Sequence, residues 1–173
     1  MTIINTLDIS ELLGNSKAAI IAAIEIHNKP IFTYRYEVCI LLTINAWELL
    51  LKAYISKYLP QVNLFDKEGK TKPFTECLAC VVSNLGNDFK ISKESIEILY
   101  EYRNSIAHFF PKDLELILYS ILRPNIVLYN DFMQHAFGFD LSQEVNLVLL
   151  PISFQKPFSP IDFLTNIAKL FRL

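Results

Sequence analysis

The feature that most constrains the fold is a long segment, from Arg35 to Leu59, that is apolar on most sides and stops at Pro60. A helix that is apolar nearly all round must be covered by other helices, so it belongs at the centre of a bundle. Hydrophobic residues make up 52% of the chain and charged residues 20%, which supplies a sizeable core and excludes disorder. The segment also carries a thin polar stripe at helical spacing, formed by Asn45, Glu48, Lys52 and Ser56.

Caps and helix breakers predict the elements around this central helix. Ser16 is a suitable N-cap for a first helix, which stops before Pro30. After the central helix, polar residues between short apolar pieces predict a small β-hairpin excursion near residues 61–73. A third helix follows and ends near Gly86, a suitable C-cap.

The second half of the chain is also predicted to be mostly helical. Ser92 is a suitable N-cap for a fourth helix that ends before Pro111. A fifth helical stretch runs from Asp113 to about Phe137, and Pro124 should kink or split it.

A C-terminal extension, residues 140–173, completes the predicted architecture. It contains a β-branched segment at 145–154, a strand or an extended packing segment, and a last helix at about 160–172. The length suits one domain. The fold class is therefore mainly α, a helical bundle with a small β-hairpin excursion, in a single domain spanning 1–173.

Charge, targeting signals and cysteines limit the class of protein. The formal charge of -2 gives no global basic signature, so any contact with nucleic acid needs a local patch. The first residues lack a secretory signal, and polar residues interrupt every long apolar run, which predicts a cytoplasmic protein that does not enter a membrane. Cys77 and Cys80 form a CxxC with no second pair, so we expect packing residues and no metal site.

The fourth helix carries the residues with the clearest chemistry. Arg103 and His108 are five positions apart, and Asn104 lies between them. On a helical wheel Arg103 falls at the border of the apolar arc, whereas Asn104 and His108 fall on the opposite side. The apolar arc, which should face the core, contains Ile98, Leu99, Tyr102, Ile106, Phe109 and Phe110.

These three side chains suit the cleavage of RNA without a metal or another cofactor. His108 can transfer protons near neutral pH, Arg103 offers a fork of donors that matches phosphate oxygens, and Asn104 adds a neutral donor and acceptor. His108 is the one histidine of this set, and the chemistry needs both a base and an acid. A homodimer with a composite site, which brings two Arg–His sets together, is therefore expected. The alternatives are an Arg that pairs with a carboxylate and a His that caps the helix.

The run RNSIAH, residues 103–108, resembles the R-x4-6-H motif of the HEPN superfamily in its form R-N-x3-H. The wider sequence is similar to a family of uncharacterised bacterial HEPN-like proteins. The similar pieces cover most of residues 16 to 140 and include the AWELLLKAY segment of the central helix. The resemblance implies a helical bundle that usually dimerises. It also implies a metal-independent endoribonuclease of the kind found in toxin–antitoxin, abortive-infection and CRISPR-associated systems.

The resemblance also implies roles for particular residues. Arg103, Asn104 and His108 match the motif, and Glu48 is the candidate for the acidic residue on an earlier helix that supports the motif Arg. The alternative for Glu48 is a plain ion pair with Lys52 at i, i+4. Phe110 replaces a Tyr that a partner nucleotidyltransferase modifies in some HEPN toxins, so that form of control is not expected.

The expected partners are RNA, a second copy of the chain, and an antitoxin or regulatory protein. The alternative function is a non-catalytic HEPN module for dimerisation, nucleotide binding or RNA binding.

Other polar residues are weaker candidates. His27 and His135 lie near helix ends and are expected to be caps rather than ligands. Trp47 is expected in the core. Five lysines form either a basic strip that attracts RNA or an ordinary solvated surface, and the ordinary surface is favoured; they are Lys52, Lys57, Lys67, Lys70 and Lys72.

Overall fold

The structure, a computed structural model, describes residues 8–29, 31–106 and 115–144 of the chain. These residues form helices and connecting turns with no strand, which confirms the mainly α class. The helices are α1 (Ile9–Asn28), α2 (Arg35–Tyr58), α3 (Phe74–Leu85), α4 (Lys90–Ile106), α5 (Glu115–Phe137) and α6 (Leu141–Glu144).

The predicted central helix is α2, and its predicted bounds are confirmed. It packs against α1, α3, α4 and α5. The helix ends at Tyr58, and Leu59 is its C-cap, whose N–H donates to the carbonyl of Ile55 at 2.9 Å. Trp47 and Leu50 are completely buried, so Trp47 is in the core as predicted. A helix that is apolar on most sides is covered on most sides.

The first helix begins earlier than predicted, and Ser16 is not its N-cap. Asp8 caps α1 by accepting a 2.8 Å hydrogen bond from the backbone N–H of Ser10. Ser16 is completely buried in mid-helix, and its hydroxyl donates to the carbonyl of Ala46 on α2 at 2.6 Å. It also lies 2.6 Å from the Tyr129 hydroxyl of α5. A residue with capping chemistry thus links three helices instead.

The predicted hairpin near residues 61–73 is not formed. The structure has one isolated antiparallel bridge there, between Phe65 and Thr71. Within the turn, one carboxylate oxygen of Asp66 accepts hydrogen bonds of 2.8 Å from the backbone N–H groups of Glu68 and Lys70. Backbone hydrogen bonds of 2.8 Å, from Asp66 to Lys70 and from Lys72 to Leu64, join the two arms around the bridge. The segment is therefore a tight turn held partly by a side chain, and its pairing is too short to form strands.

The connection from α3 to α4 is partly as predicted. Gly86 is the C-cap of α3 and has a positive φ of 59°, a conformation that glycine adopts without steric cost. Ser92 is not the N-cap of α4. A 3-10 turn, Gly86–Phe89, leads without a break into α4 at Lys90. Phe89 is buried against Trp47, with ring centroids 6.3 Å apart, so tertiary packing holds the turn that starts the helix.

Pro124 does not split α5, which is continuous over Glu115–Phe137. The next residue, Asn125, is completely buried and accepts a 2.5 Å hydrogen bond from the indole N–H of Trp47. Its amide nitrogen donates to the Ser95 hydroxyl of α4 at 2.9 Å. These contacts with α2 and α4 hold the helix together across the proline.

Four predictions concern residues outside the described ranges. They are the end of the fourth helix before Pro111, the start of the fifth at Asp113, the extended segment at 145–154 and the last helix at 160–172. The described part of the C-terminal extension contains the short helix α6.

One helix in the described part of the chain, α2, is long and apolar enough to cross a membrane by length and composition. However, 67% of its apolar window is buried inside the protein. This burial is what a central helix of a bundle requires.

Candidate functional site

The buried face of α4 agrees with the predicted one at Leu99 and differs from it at Ile96 and Ile98. Ile96 and Leu99 are completely buried, whereas Ile98, which the helical wheel placed in the core, is 47% exposed. All three are apolar and nearly adjacent in sequence, so periodicity alone did not define which side the neighbouring helices cover. Contacts with α2 and α5 decide the orientation.

Arg103 lies on this same buried face of α4 and yet is exposed. It follows Ile96 by seven residues and Leu99 by four, so the three share one side of the helix. Ile96 and Leu99 are covered, whereas Arg103, near the last described residue of α4, is exposed. The structure therefore places an exposed, permanent positive charge on the same side of α4 as its buried residues Ile96 and Leu99.

Among the described residues, Tyr100 and Asn104 contact the Arg103 side chain. Its guanidinium carbon is 5.7 Å from the centre of the Tyr100 ring, within range of a cation–π interaction. One terminal nitrogen, Nη1, donates a long hydrogen bond of 3.4 Å to the side-chain oxygen of Asn104. Asn104 is also exposed. Two of the three predicted catalytic residues are thus in contact and open to solvent.

Tyr100 links this site to α3. Its ring stacks on that of Phe74, with centroids 4.9 Å apart and planes at 21°. Phe74 is the first residue of α3 and is buried. The stacked pair joins the start of α3 to the C-terminal part of α4 and gives the Arg103 guanidinium an aromatic support.

A groove of about 520 Å³ runs between α3 and α4 and has Tyr100 in its lining. Apolar side chains and two hydroxyls line it from α3, and charged side chains line it from α4. The lining residues are Phe74, Thr75, Leu78, Ala79, Val82, Ser83, Lys93, Glu97, Tyr100 and Glu101.

Glu48 forms the ion pair that the sequence offered as an alternative to a catalytic role. Its carboxylate is 2.6 Å from the ammonium of Lys52, which also donates to the Thr71 hydroxyl at 3.0 Å. Lys52 is only 6% exposed, so Glu48 neutralises a buried charge. Support of Arg103 by Glu48 stays a prediction.

His108 lies outside the described residues, so its geometry relative to Arg103 is not part of the structure. The composite site between two chains is likewise a prediction.

A family model described as a domain of unknown function, DUF3644, matches residues 11–169. The match spans most of the chain and includes Glu48, Arg103, Asn104 and His108. The chain belongs to the DUF3644 family. No curated protein and no solved structure matched the chain.

Four of the five lysines predicted as a basic strip or an ordinary surface have partners in this DUF3644 domain. Lys52 pairs with Glu48, and Lys57 donates to the carbonyl of Ala136 at 3.0 Å. The other two are 2.8 Å from carboxylates, Lys70 from Glu68 and Lys72 from Glu76. Lys52 is buried and belongs to neither alternative. For the other three, these contacts favour the ordinary surface over a strip that attracts RNA.

The described histidines and cysteines of the DUF3644 domain do not form a metal site. No group of three or more His, Cys, Asp or Glu side chains within the described ranges could hold a metal ion. His27 lies between the rings of Tyr36 and Tyr119, at centroid distances of 5.9 and 5.6 Å. His135 Nδ1 is 2.6 Å from the carbonyl oxygen of Asp131 in its own helix. Burial raises the pKa of the Cys77 thiol to about 11, as expected for a packing residue.

The residues that sequence reasoning missed are Tyr100 and Phe74. Tyr100 had a local signal, because it precedes Arg103 by three residues and side chains at i, i+3 are neighbours on a helix. Phe74 had none, since only the packing of α3 against α4 brings it to Tyr100. The groove of the DUF3644 domain was missed for the same reason.

Proposed function

We propose that this DUF3644 domain is a metal-independent endoribonuclease of the HEPN type. Arg103 binds the scissile phosphate, His108 transfers protons, and Asn104 orients the arginine. Two copies of the chain form one composite site, so that two Arg–His sets act together. The protein is cytoplasmic and acts in bacterial defence or a toxin–antitoxin system, with an antitoxin or regulatory protein as a further partner.

The observation that supports this proposal best is the position of Arg103. It continues the packing face of Ile96 and Leu99, yet it is exposed where its guanidinium lies over Tyr100. A planar guanidinium that is held against a ring presents its donors in a limited range of directions, which suits a tetrahedral phosphate. An arginine that only solubilises the surface needs no such support.

The proposed chemistry needs one base, one acid and one positive charge. A general base takes the proton of the ribose 2′-hydroxyl, and the 2′-oxygen attacks the adjacent phosphorus. A general acid protonates the leaving 5′-oxygen, which yields a cyclic phosphate and a free 5′-hydroxyl. Arg103 stabilises the negative charge that builds on the phosphate oxygens. The two His108 residues of a dimer supply the base and the acid.

A second candidate, a nucleotide- or RNA-binding module without catalysis, is favoured by one observation. Arg103 already contacts Asn104 and Tyr100 beside a groove large enough for a small ligand. Such a site binds an anion whether or not a general base is in place. The two functions differ in whether the protein cleaves the RNA that it binds.

The test is an assay of a panel of single-stranded and structured RNAs in EDTA. The parent protein should cleave, and His108→Ala and Arg103→Ala should not. His135→Ala is the matched control, because His135 is exposed on α5 and bonds within its own helix. Cleavage by His108→Ala at the parental rate would contradict the assignment. Binding of RNA by the parent without any cleavage would favour the module.

A further inference from the structure

The charges that line the α3/α4 groove distinguish it from the site at Arg103. Glu97 and Glu101 stand one turn apart on the α4 wall, and both are exposed. Lys93 is the positive side chain of the lining. A carboxylate repels a phosphate that comes close to it, so the α4 wall of the groove is a poor place for a phosphate. The phosphate of a bound nucleotide is therefore expected at Arg103, beyond Tyr100.

We infer that the α3/α4 groove binds the base of a guanine nucleotide whose 3′-phosphate lies at Arg103. The inference rests on the proposed function and adds a preference for one base to it. Tyr100 is common to both parts, since it lines the groove and supports the guanidinium.

The size and the apolar lining of the groove suit a base. Small-molecule sites occupy roughly 300–1,000 Å³, and this groove measures about 520 Å³. Its lining includes the apolar side chains of Phe74, Leu78 and Val82 and the Tyr100 ring. Proteins that read single-stranded RNA place unstacked bases against aromatic and apolar side chains in this way.

The carboxylates explain why the base is guanine. An ionised carboxylate accepts hydrogen bonds and donates none. The Watson–Crick edge of guanine presents two adjacent donors, N1–H and the 2-amino group, which match both oxygens of one carboxylate. Uracil presents a single N–H between two carbonyl oxygens. The partial negative charges of these oxygens repel a carboxylate. Adenine and cytosine present one amino group beside an acceptor.

The ion pair of Glu97 with Lys93 leaves the Glu97 carboxylate able to accept hydrogen bonds from a base. Its distance to the Lys93 ammonium is 3.4 Å, and the two side chains are 49% and 40% exposed. An exposed pair of this length contributes little stability and exchanges readily with water. The Glu97 side chain can therefore accept two hydrogen bonds from a base with little rearrangement of its ion pair.

The first experiment measures binding of 3′-nucleotides by calorimetry in EDTA. Guanosine 3′-monophosphate should bind about tenfold or more tightly than uridine 3′-monophosphate, because hydrogen bonds to charged groups are the strong ones. Inosine 3′-monophosphate, which lacks the 2-amino group, should bind more weakly than the guanosine nucleotide. Equal affinity for all of these nucleotides would overturn the inference.

Variants then locate the base. The double variant Glu97→Gln with Glu101→Gln should lose most of the preference for guanine. Glu94→Gln is the matched control, because Glu94 is exposed on the same helix but does not line the groove. Ala79→Trp should block the groove, since Ala79 is an exposed lining residue whose replacement leaves the core intact. A guanine preference that survives both changes would place the base elsewhere.

The outcomes also separate this inference from the proposed function. RNA cleavage by the parent without guanine-selective binding overturns the guanine subsite and leaves the nuclease intact. Guanine-selective binding that depends on Glu97 and Glu101, without cleavage, supports the subsite and counts against the nuclease.

Discussion

The indole nitrogen of Trp47 on α2 donates a 2.5 Å hydrogen bond to the side-chain oxygen of Asn125 on α5. Both residues are completely buried, and the Asn125 amide nitrogen donates in turn to Ser95 of α4. One amide therefore joins three helices directly after Pro124. Since α4 carries Arg103, this network fixes the helix on which the candidate site is built.

Removing the Asn125 side chain should destabilise the fold. Asn125→Ala leaves the Trp47 N–H unpaired in the core and creates a small cavity, so the free energy of unfolding should fall by about 2–4 kcal/mol. Urea denaturation measures this change. Val127→Ala, two residues further along α5 and 53% exposed, is the control and should change stability by less than about 0.5 kcal/mol. Equal stability of Asn125→Ala and the parent would show that the network contributes nothing.

Lysine should not replace Arg103 in RNA cleavage. Arg103→Lys keeps the charge but loses the planar fork and its stacking on Tyr100, so kcat/KM should fall about tenfold or more. Stability should stay within about 0.5 kcal/mol of the parent, because the side chain is exposed. Arg123→Lys, at an exposed position of α5, is the matched control for both measurements. Full activity of Arg103→Lys would mean that a point charge is sufficient.

Glu48 has two predicted roles that one pair of variants separates. Glu48→Gln leaves the Lys52 charge without its counter-ion, so the free energy of unfolding should fall by about 1–3 kcal/mol. If Glu48 also supports Arg103, the same variant lowers RNA cleavage under conditions where it is fully folded. Thr71→Val removes the other hydrogen-bond partner of Lys52 and should affect stability alone. Unchanged cleavage by folded Glu48→Gln would reduce its role to the ion pair.

Stability should decline in mildly acidic solution partly because of His27. Burial lowers the pKa of His27 below its usual value of 6.5, with a further contribution from the Arg35 charge. The unfolded chain therefore binds a proton near pH 6.5 while the folded protein stays neutral at this site, so stability falls as the pH drops below about 6.5. The decline stops below the folded pKa, where both states are protonated.

The His27→Gln variant measures this contribution. Its free energy of unfolding should depend less steeply on pH between about 7 and 5.5 than that of the parent. His135→Gln, at an exposed histidine of α5, is the control for removal of one imidazole. Parallel pH curves for His27→Gln and the parent would show that protonation of His27 is not linked to folding.

Much of the fold followed from local patterns. The bounds of α2 were predictable because an apolar helical pattern stops at Pro60, and the end of α3 because Gly86 tolerates a positive φ. The candidate pair Arg103 and Asn104 was also visible, since both lie within one turn of a single helix. Capping was less predictable, because a serine such as Ser16 has the same hydrogen-bonding capacity at a helix end and inside a core.

By itself, the sequence determined that the fold is mainly helical, that α2 is the central helix, and that Arg103 and Asn104 are neighbours. Only the tertiary structure decided that Ile96 rather than Ile98 is buried, that α5 continues through Pro124, and that Phe74 meets Tyr100 in the lining of a groove. The physical reason is the distance along the chain over which the deciding interactions act. Helix propensity and spacing act over one or two turns, whereas the buried face of a helix and the cavities beside it depend on residues far away in the chain.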